Sequence, residues 1–387
     1  MKKGWQTKKL GDVCDFEGGS QPPKSEFIHD EKPGYVRFLQ IRDFGSDKNI
    51  TYIRHSKKNR LCDENDILIG RYGASVGKIL TGKAGAYNVA LMKTIPNLEV
   101  LDQSWFYHFL ISDEFQKPLL NVADRSAQAG FSKDDIYNFP VPVPPLAEQQ
   151  RIIGLLDEVF EGLATAKANT EKNLQNARAL FESHLQSVFT QRGPGWVEKR
   201  FDEVCAITST LVDPRKKEFL DLTHVGAGNI ESKTGVFVDL KTAREEGLIS
   251  GKFLFDDSMV LYSKIRPYLM KVARPDFEGL CSADMYPLSP IQNVITRDYL
   301  FHLLLSKHFT DYAIQGSARA GMPKVNRDHV FEFRVFLPDV KKQKQLAANL
   351  DDLHEETQRL ARLYEQKHAA LEALKKSLLH QAFTGAL

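Results

Sequence analysis

From Leu346 onward the apolar positions step alternately by four and three, through Leu350, Leu353, Thr357, Leu360, Tyr364, Lys367, Leu371, Leu374 and Leu378. That spacing is the heptad seam of a long helix packed against another helix. A weaker seam in the same register runs through Ile152, Leu156, Val159, Leu163, Ala166, Thr170, Asn173, Ala177, Leu180 and His184. Each stretch covers about 40 residues, roughly 60 Å at the usual helical rise. Pro140, Pro142, Pro144 and Pro145 precede the first and Pro338 the second; proline is tolerated in a helix's first turn, so both clusters read as helix starts. Two such helices separated by a globular stretch predict an antiparallel coiled coil. Thr170, Asn173 and His184 weaken the seam; polar seam residues of this kind fix register, with contact to a partner as the alternative reading.

The remainder reads as short strands and turns. Residues 35–41 and 67–69 alternate as strands, and glycines cluster at 70–77 and 82–85. A helical patch follows at 103–120, where Trp105, Phe106, Phe109, Leu110 and Phe115 share a side. The same order returns with residues 259–262 as strand and 299–309 as helix. The chain is one plan written twice, at an offset of 191 to 194 residues. Gly4-Trp5 matches Gly195-Trp196; His108, Leu110, Ser112 and Phe115 match His302, Leu304, Ser306 and Phe309; Leu156-Asp157 match Leu350-Asp351. Near the ends of the copies, Leu180, Ser183, Leu185, Phe189 and Thr190 match Leu374, Ser377, Leu379, Phe383 and Thr384. The expected fold is α+β: two similar strand-rich domains at 1–143 and 193–337, joined by long helices at 144–192 and 338–387, with an internal pseudo-twofold.

Composition narrows the class. Of 387 residues, 26% are charged and 42% hydrophobic, the profile of a globular protein with two domains. No apolar run reaches membrane-spanning length, and Met1-Lys2-Lys3 leads into no signal-peptide core, so a cytoplasmic location is expected. Cys14, Cys62, Cys205 and Cys281 form no Cys-x-x-Cys pair, and no histidines have zinc spacing, so neither disulfides nor a metal is expected. Cys14 and Cys205, at matched positions, read as small buried hydrophobes. The net charge of +2 does not itself announce nucleic acid; where the charge sits decides.

Catalytic signatures are missing. Residues 73–78 (GASVGK) have one residue too few between the glycines for a phosphate loop, and Ile79 stands where the metal-binding hydroxyl belongs. Gly226-Ala227-Gly228 lacks the third glycine of a dinucleotide fingerprint. No serine elbow or Cys/His nucleophile appears. Basic side chains interleaved with aromatic and amide ones are easier to find. Arg54, Lys57, Lys58 and Arg60 make a dense positive loop, and Arg71, Tyr72, Ser75 and Lys78 a second cluster. Ser263, Lys264, Arg266, Tyr268 and Lys271 occupy the corresponding stretch of copy two. With Gln40, Arg42, Lys133, His224, Asn229, Arg319 and Lys324 they form the candidate DNA-contact set, since Arg and Lys suit guanine edges and phosphates, and Gln and Asn suit adenine. The coiled-coil set is Ile152, Leu156, Val159, Leu163 and Leu180 with Leu346, Leu350, Leu353, Leu360, Leu371, Leu374 and Leu378. His108 and His302, matched within apolar helices, read as packing histidines.

Three stretches, ILIGRYGASVGKI at 67–79, PPLAEQQRIIGLLD at 144–157 and LKKSLLHQAFTGAL at 374–387, make the chain resemble the specificity subunits of type I restriction-modification systems over nearly its whole length. Copy two departs from the pattern at residues 263–267 and keeps only part of the Pro-Leu-x-Glu-Gln exit. The resemblance implies a non-catalytic DNA-recognition subunit, one domain per half-site, with the helices setting the gap and docking two modification subunits. It also implies that this chain binds no cofactor. S-adenosylmethionine belongs on the modification subunits, and ATP and Mg on the restriction subunits. Two rival readings remain open here. A self-contained methyltransferase or nuclease predicts methyl-donor binding or cleavage by the chain alone. A coiled-coil scaffold whose globular ends bind proteins predicts no salt-dependent DNA affinity.

Overall fold

The computed structural model describes residues 4–124, 130–317 and 322–387, and the chain divides into two compact units. One comprises the residues up to Thr170 together with Gln366–Leu387; the other is Glu171–Glu365. Each contains a strand-rich domain and parts of both long helices, which run Leu146–Thr190 and Val340–Thr384, 45 residues each.

In the first unit Gln6–Lys9 pairs antiparallel with Pro140–Val143, bringing the domain's first strand beside its last. One four-stranded sheet orders Cys14–Gly18, Leu91–Pro96, Leu68–Gly70 and Ile79–Leu80; a second orders Tyr52–Arg54, Tyr35–Leu39, Gly85–Tyr87 and Leu61–Cys62. The second unit repeats the plan. Val197–Arg200 pairs with Arg334–Leu337, and Cys205–Ala206, Met285–Pro290, Val260–Ser263 and Val272–Ala273 form the four-stranded sheet. Its other sheet has five strands, with Leu211–Val212 added at the edge beside Lys252–Phe255. Each unit contains a parallel pair, Tyr35–Leu39 with Gly85–Tyr87 and Thr223–Val225 with Gly279–Cys281.

Each apolar patch expected as a single helix is two helices. Gln103–Ile111 and Asp113–Ala123 break at Ser112, and Arg297–Leu305 and Lys307–Gln315 break at Ser306. Both serines are extended at ψ 159° and 147° and buried, and their hydroxyls donate back to Phe109 O at 2.7 Å and Leu303 O at 2.6 Å. A serine that satisfies the preceding carbonyl and leads the next helix competes with continuous helix, which is why it prefers such junctions.

The cores carry the long helices. Trp105 lies 4.6 Å from Phe383 between ring centroids in the first unit, and Tyr299 lies 5.0 Å from Phe189 in the second. Ile152 and Leu156 bury beside Leu379 and Ala382; Phe181, Leu185 and Val188 bury beside Ala347 and Leu350. Lys167 pairs with Glu372 at 2.7 Å in one unit and Arg178 with Glu365 at 2.8 Å in the other, so rising numbers on one helix meet falling numbers on its partner. That is an antiparallel coiled coil.

Among its apolar positions the expected seam needs correction at three places. Val159, Leu180 and Leu374 are 40%, 54% and 46% exposed, while Phe181, Leu185 and Leu379 are buried. From Ala177 the buried positions step to Phe181, Leu185 and Val188, a 4-4-3 pattern. Eleven residues over three turns keep pace with an ordinary helix, whereas a strict heptad falls behind it. Thr170 is buried in the seam as expected, its hydroxyl donating to Ala166 O at 2.7 Å; Asn173 and His184 are exposed. All four cysteines are free and buried, and no helix among the described residues is long and apolar enough to cross a membrane.

Candidate nucleic-acid interface

In each unit a strand of the four-stranded sheet leaves its neighbour through a tight loop, residues 71–78 between Leu68–Gly70 and Ile79–Leu80, and residues 264–271 between Val260–Ser263 and Val272–Ala273. Isolated bridges pin both loops at equivalent points, Tyr72 to Gly130 and Ile265 to Lys324. Their backbones also agree in conformation. Gly73 and Gly77 are left-handed at φ +57° and +78°; Arg266 and Met270, at the matched positions, are left-handed at 50° and 49°. The first loop uses glycine, which adopts that region freely. The second places side chains there at a cost of about 1–2 kcal/mol each.

Packing explains one of the two differences. A Cβ on Gly77 would meet Gln116 Oε1 at 2.5 Å, and the Gln116 amide donates to Gly77 O at 2.9 Å. At the position matching Gln116 the second unit has Thr310, and Met270 packs on the core, lining with Thr310 a cavity of about 1000 Å³.

The sequence-predicted contacts separate into groups. Arg54, Lys57, Lys58, Lys78 and Arg266 are exposed and pair with no described residue, and Tyr72 and Tyr268 are 44% and 50% exposed. Ser75 is half-buried on the first loop, and Lys133 is exposed above the Tyr137 ring at 5.6 Å. Others are reachable but engaged. Arg42 lies 3.8 Å from Asp43, beside Gln40, whose backbone N–H donates to Asp43 Oδ2 at 2.7 Å. Arg60 pairs with Glu17 at 2.6 Å and Lys324 with Asp284 at 3.1 Å. Arg71 donates to Phe131 O at 3.3 Å and sits 5.0 Å above the Tyr72 ring. Lys264 donates to Ala283 O and lies over Tyr286, and Lys271 donates to Ala227 O at 2.6 Å.

Three residues of the expected set are engaged within the chain, two of them buried. His224 is buried with Nδ1 2.8 Å from Glu246, and burial pushes its pKa below the ordinary histidine value despite that carboxylate. Ser263 is 2% exposed and donates to Ile265 O at 3.1 Å. Asn229 accepts from Gly226 N at 2.9 Å and donates to the carbonyls of Val238 and Asp239, so its amide closes a turn. These three shape loops and do not present a contact. Arg319 lies outside the described residues.

Two matched devices escaped sequence reasoning. Gln149 and Gln343, both wholly buried, join the first turn of each long helix to its domain. Gln149 accepts from Asp102 N at 2.8 Å and donates to the carbonyls of Val100 and Pro144; Gln343 accepts from Thr296 N at 3.0 Å and donates to those of Val294 and Pro338. His108 and His302 are buried, as packing histidines should be, and each meets an aspartate of a long helix: Asp157 at 3.1 Å and Asp351 at 2.8 Å. Burial pushes both histidines' pKa down against the raising influence of the aspartate, so the neutral ring donates to a carboxylate. Although burial works the other way, hydrogen bonds from His302 and Arg274 hold Asp351 well below the usual carboxylate range. The signal was in the spacing, since both His–Asp pairs are 49 residues apart and both glutamine N–H contacts span 47.

The two units thus carry the same loop scaffold with different exposed side chains, and no group of three or more described His, Cys, Asp or Glu could hold a metal. Fold and loops define a class, a duplicated α+β recognition protein built on paired long helices. The model of the type I restriction modification DNA specificity domain matches residues 2–176 and again 194–367, and the chain belongs to that family. It is similar to the EcoDI specificity subunit of Escherichia coli, 28% identical over 416 residues, spanning 99% of this chain and 88% of the relative. It is also similar to the MjaVIII specificity subunit of Methanocaldococcus jannaschii, 21% identical across 100% of this chain and 93% of the relative. Among solved structures, a chain from a study of type I R-M complex assembly and conformational transition matches with a TM-score of 0.79 at 18% identity, covering 100% and 99% of the two chains. The HsdS subunit of Thermoanaerobacter tengcongensis matches with a TM-score of 0.59 at 19% identity, covering 100% and 98%. The chain is therefore a non-catalytic specificity subunit with two DNA-recognition domains.

Proposed function

We propose that the domain of the first unit reads one half of a split DNA site, that of the second reads the other, and the paired helices set the gap. The observation that carries this reading is the duplicated loop, one backbone shape presenting Tyr72, Ser75 and Lys78 in one copy and Arg266 and Tyr268 in the other. A common scaffold with different side chains suits one task on two targets. The helices dock two modification subunits that carry S-adenosylmethionine and methylate adenine, and restriction subunits add ATP- and Mg-dependent steps. This chain supplies recognition alone and works in the cytoplasm.

The test maps methylated adenines across a genome by single-molecule sequencing, in cells making this chain with its modification subunit and in cells lacking the chain. A split motif that appears only with the chain is the expected result. No new methylation, with both proteins associated, would overturn it and return the scaffold reading to consideration.

A further inference from the structure

Arg266 is out of keeping with its surroundings. Of the described non-glycine residues in the left-handed region, Lys233 pairs with Glu182 at 2.6 Å, Met270 packs on the core, and Asp239 and Asn293 are types that tolerate the region. Arg266 has none of these compensations. Its backbone is held, with its N–H donating to Pro323 O at 2.8 Å and its carbonyl accepting from Leu269 N at 2.9 Å, but its side chain is exposed and unpaired. Those two backbone hydrogen bonds are its only described support, no side-chain contact within the chain offsets the strain, and a backbone outlier of this kind points toward function.

The first copy shows what the position faces. A Cβ built on Gly73 meets nothing within 4 Å, so the direction Arg266 occupies opens outward. The matched flanking residues are cationic in both copies, Arg71 with Lys264 and Lys78 with Lys271. Features common to two domains that read different sequences serve what their targets share, and all duplex DNA shares its phosphate backbone.

We infer that the loop of residues 264–271 is a phosphate clamp in which Arg266 contacts the DNA backbone independently of base sequence, and that residues 71–78 form the same clamp without that arginine. This rests on the two-reader function proposed above. Arg266 adds affinity and holds the second domain on its half-site, while the domain's other exposed side chains, Tyr268 on the same loop among them, choose the bases.

The experiment uses the full chain assembled with its modification subunits and measures binding to a duplex carrying the mapped motif across a salt series. R266G removes the guanidinium and places glycine where glycine is favoured, so the assembly should melt no lower than the original. Affinity should fall several-fold, the salt dependence should become shallower by about one phosphate contact, and the methylation motif should stay unchanged. G73R should do the reverse in the first domain, raising affinity and steepening the salt dependence by a similar amount. A motif relaxed at one base pair in R266G would make Arg266 a base reader and overturn the clamp, as would unchanged affinity or a lowered melting temperature. Failure of G73R to raise affinity would overturn the equivalence of the two loops. Failure of the unsubstituted assembly to bind DNA would defeat the two-reader function, and this proposal with it.

Discussion

Gln343 makes a hydrogen bond with every polar atom its amide can use on buried backbone, and Gln149 does the same in the other unit. Gln343→Leu keeps the volume but strands the Thr296 N–H and the carbonyls of Val294 and Pro338. It should destabilise the second unit by about 3 kcal/mol, read as a lowered midpoint in chemical unfolding. An unchanged midpoint would show that the clasp is dispensable. At this scale the sequence was partly legible. The Pro-Leu-x-Glu-Gln exit stood out, yet only the folded chain shows that its glutamine, Gln149, reaches 47 residues back. Burial likewise separates candidates that composition leaves equal: Ser263 and Arg266 lie three residues apart, one inside and one out.

The long helices were plain in the sequence because apolar periodicity over 45 residues is hard to produce otherwise. Their facing was less plain, because Leu180 and Phe181 are both apolar and a heptad count chooses the first. Phe181→Ala should cost about 3–5 kcal/mol, since it empties a buried contact with His354 and its neighbours. Leu180→Ala should stay within about 0.5 kcal/mol in the isolated chain. Thermal melts of the two variants settle the order, and a larger loss at Leu180 would restore the heptad. The breaks at Ser112 and Ser306 were hidden for a related reason: an apolar stripe continues across the junction, and a single serine hydroxyl redirects the chain.

Duplication was the most legible property of the whole molecule, and it predicts separable function. Replacing residues 1–143 with the matching domain of a relative should change one half of the methylated motif and leave the other intact; a change in both halves would refute independent readers. The added edge strand Leu211–Val212 was not visible beforehand, because two residues carry too little pattern to distinguish a strand from a turn. The division into units has a further consequence for how the molecule comes into being. Glu171–Glu365 is continuous, but the other unit closes only when Leu379, Ala382 and Phe383 reach Trp105 and Phe109. During synthesis, the domain that leaves the ribosome first must therefore wait with an uncovered aromatic face until the final helix emerges, and the domain made second can be the first to finish folding.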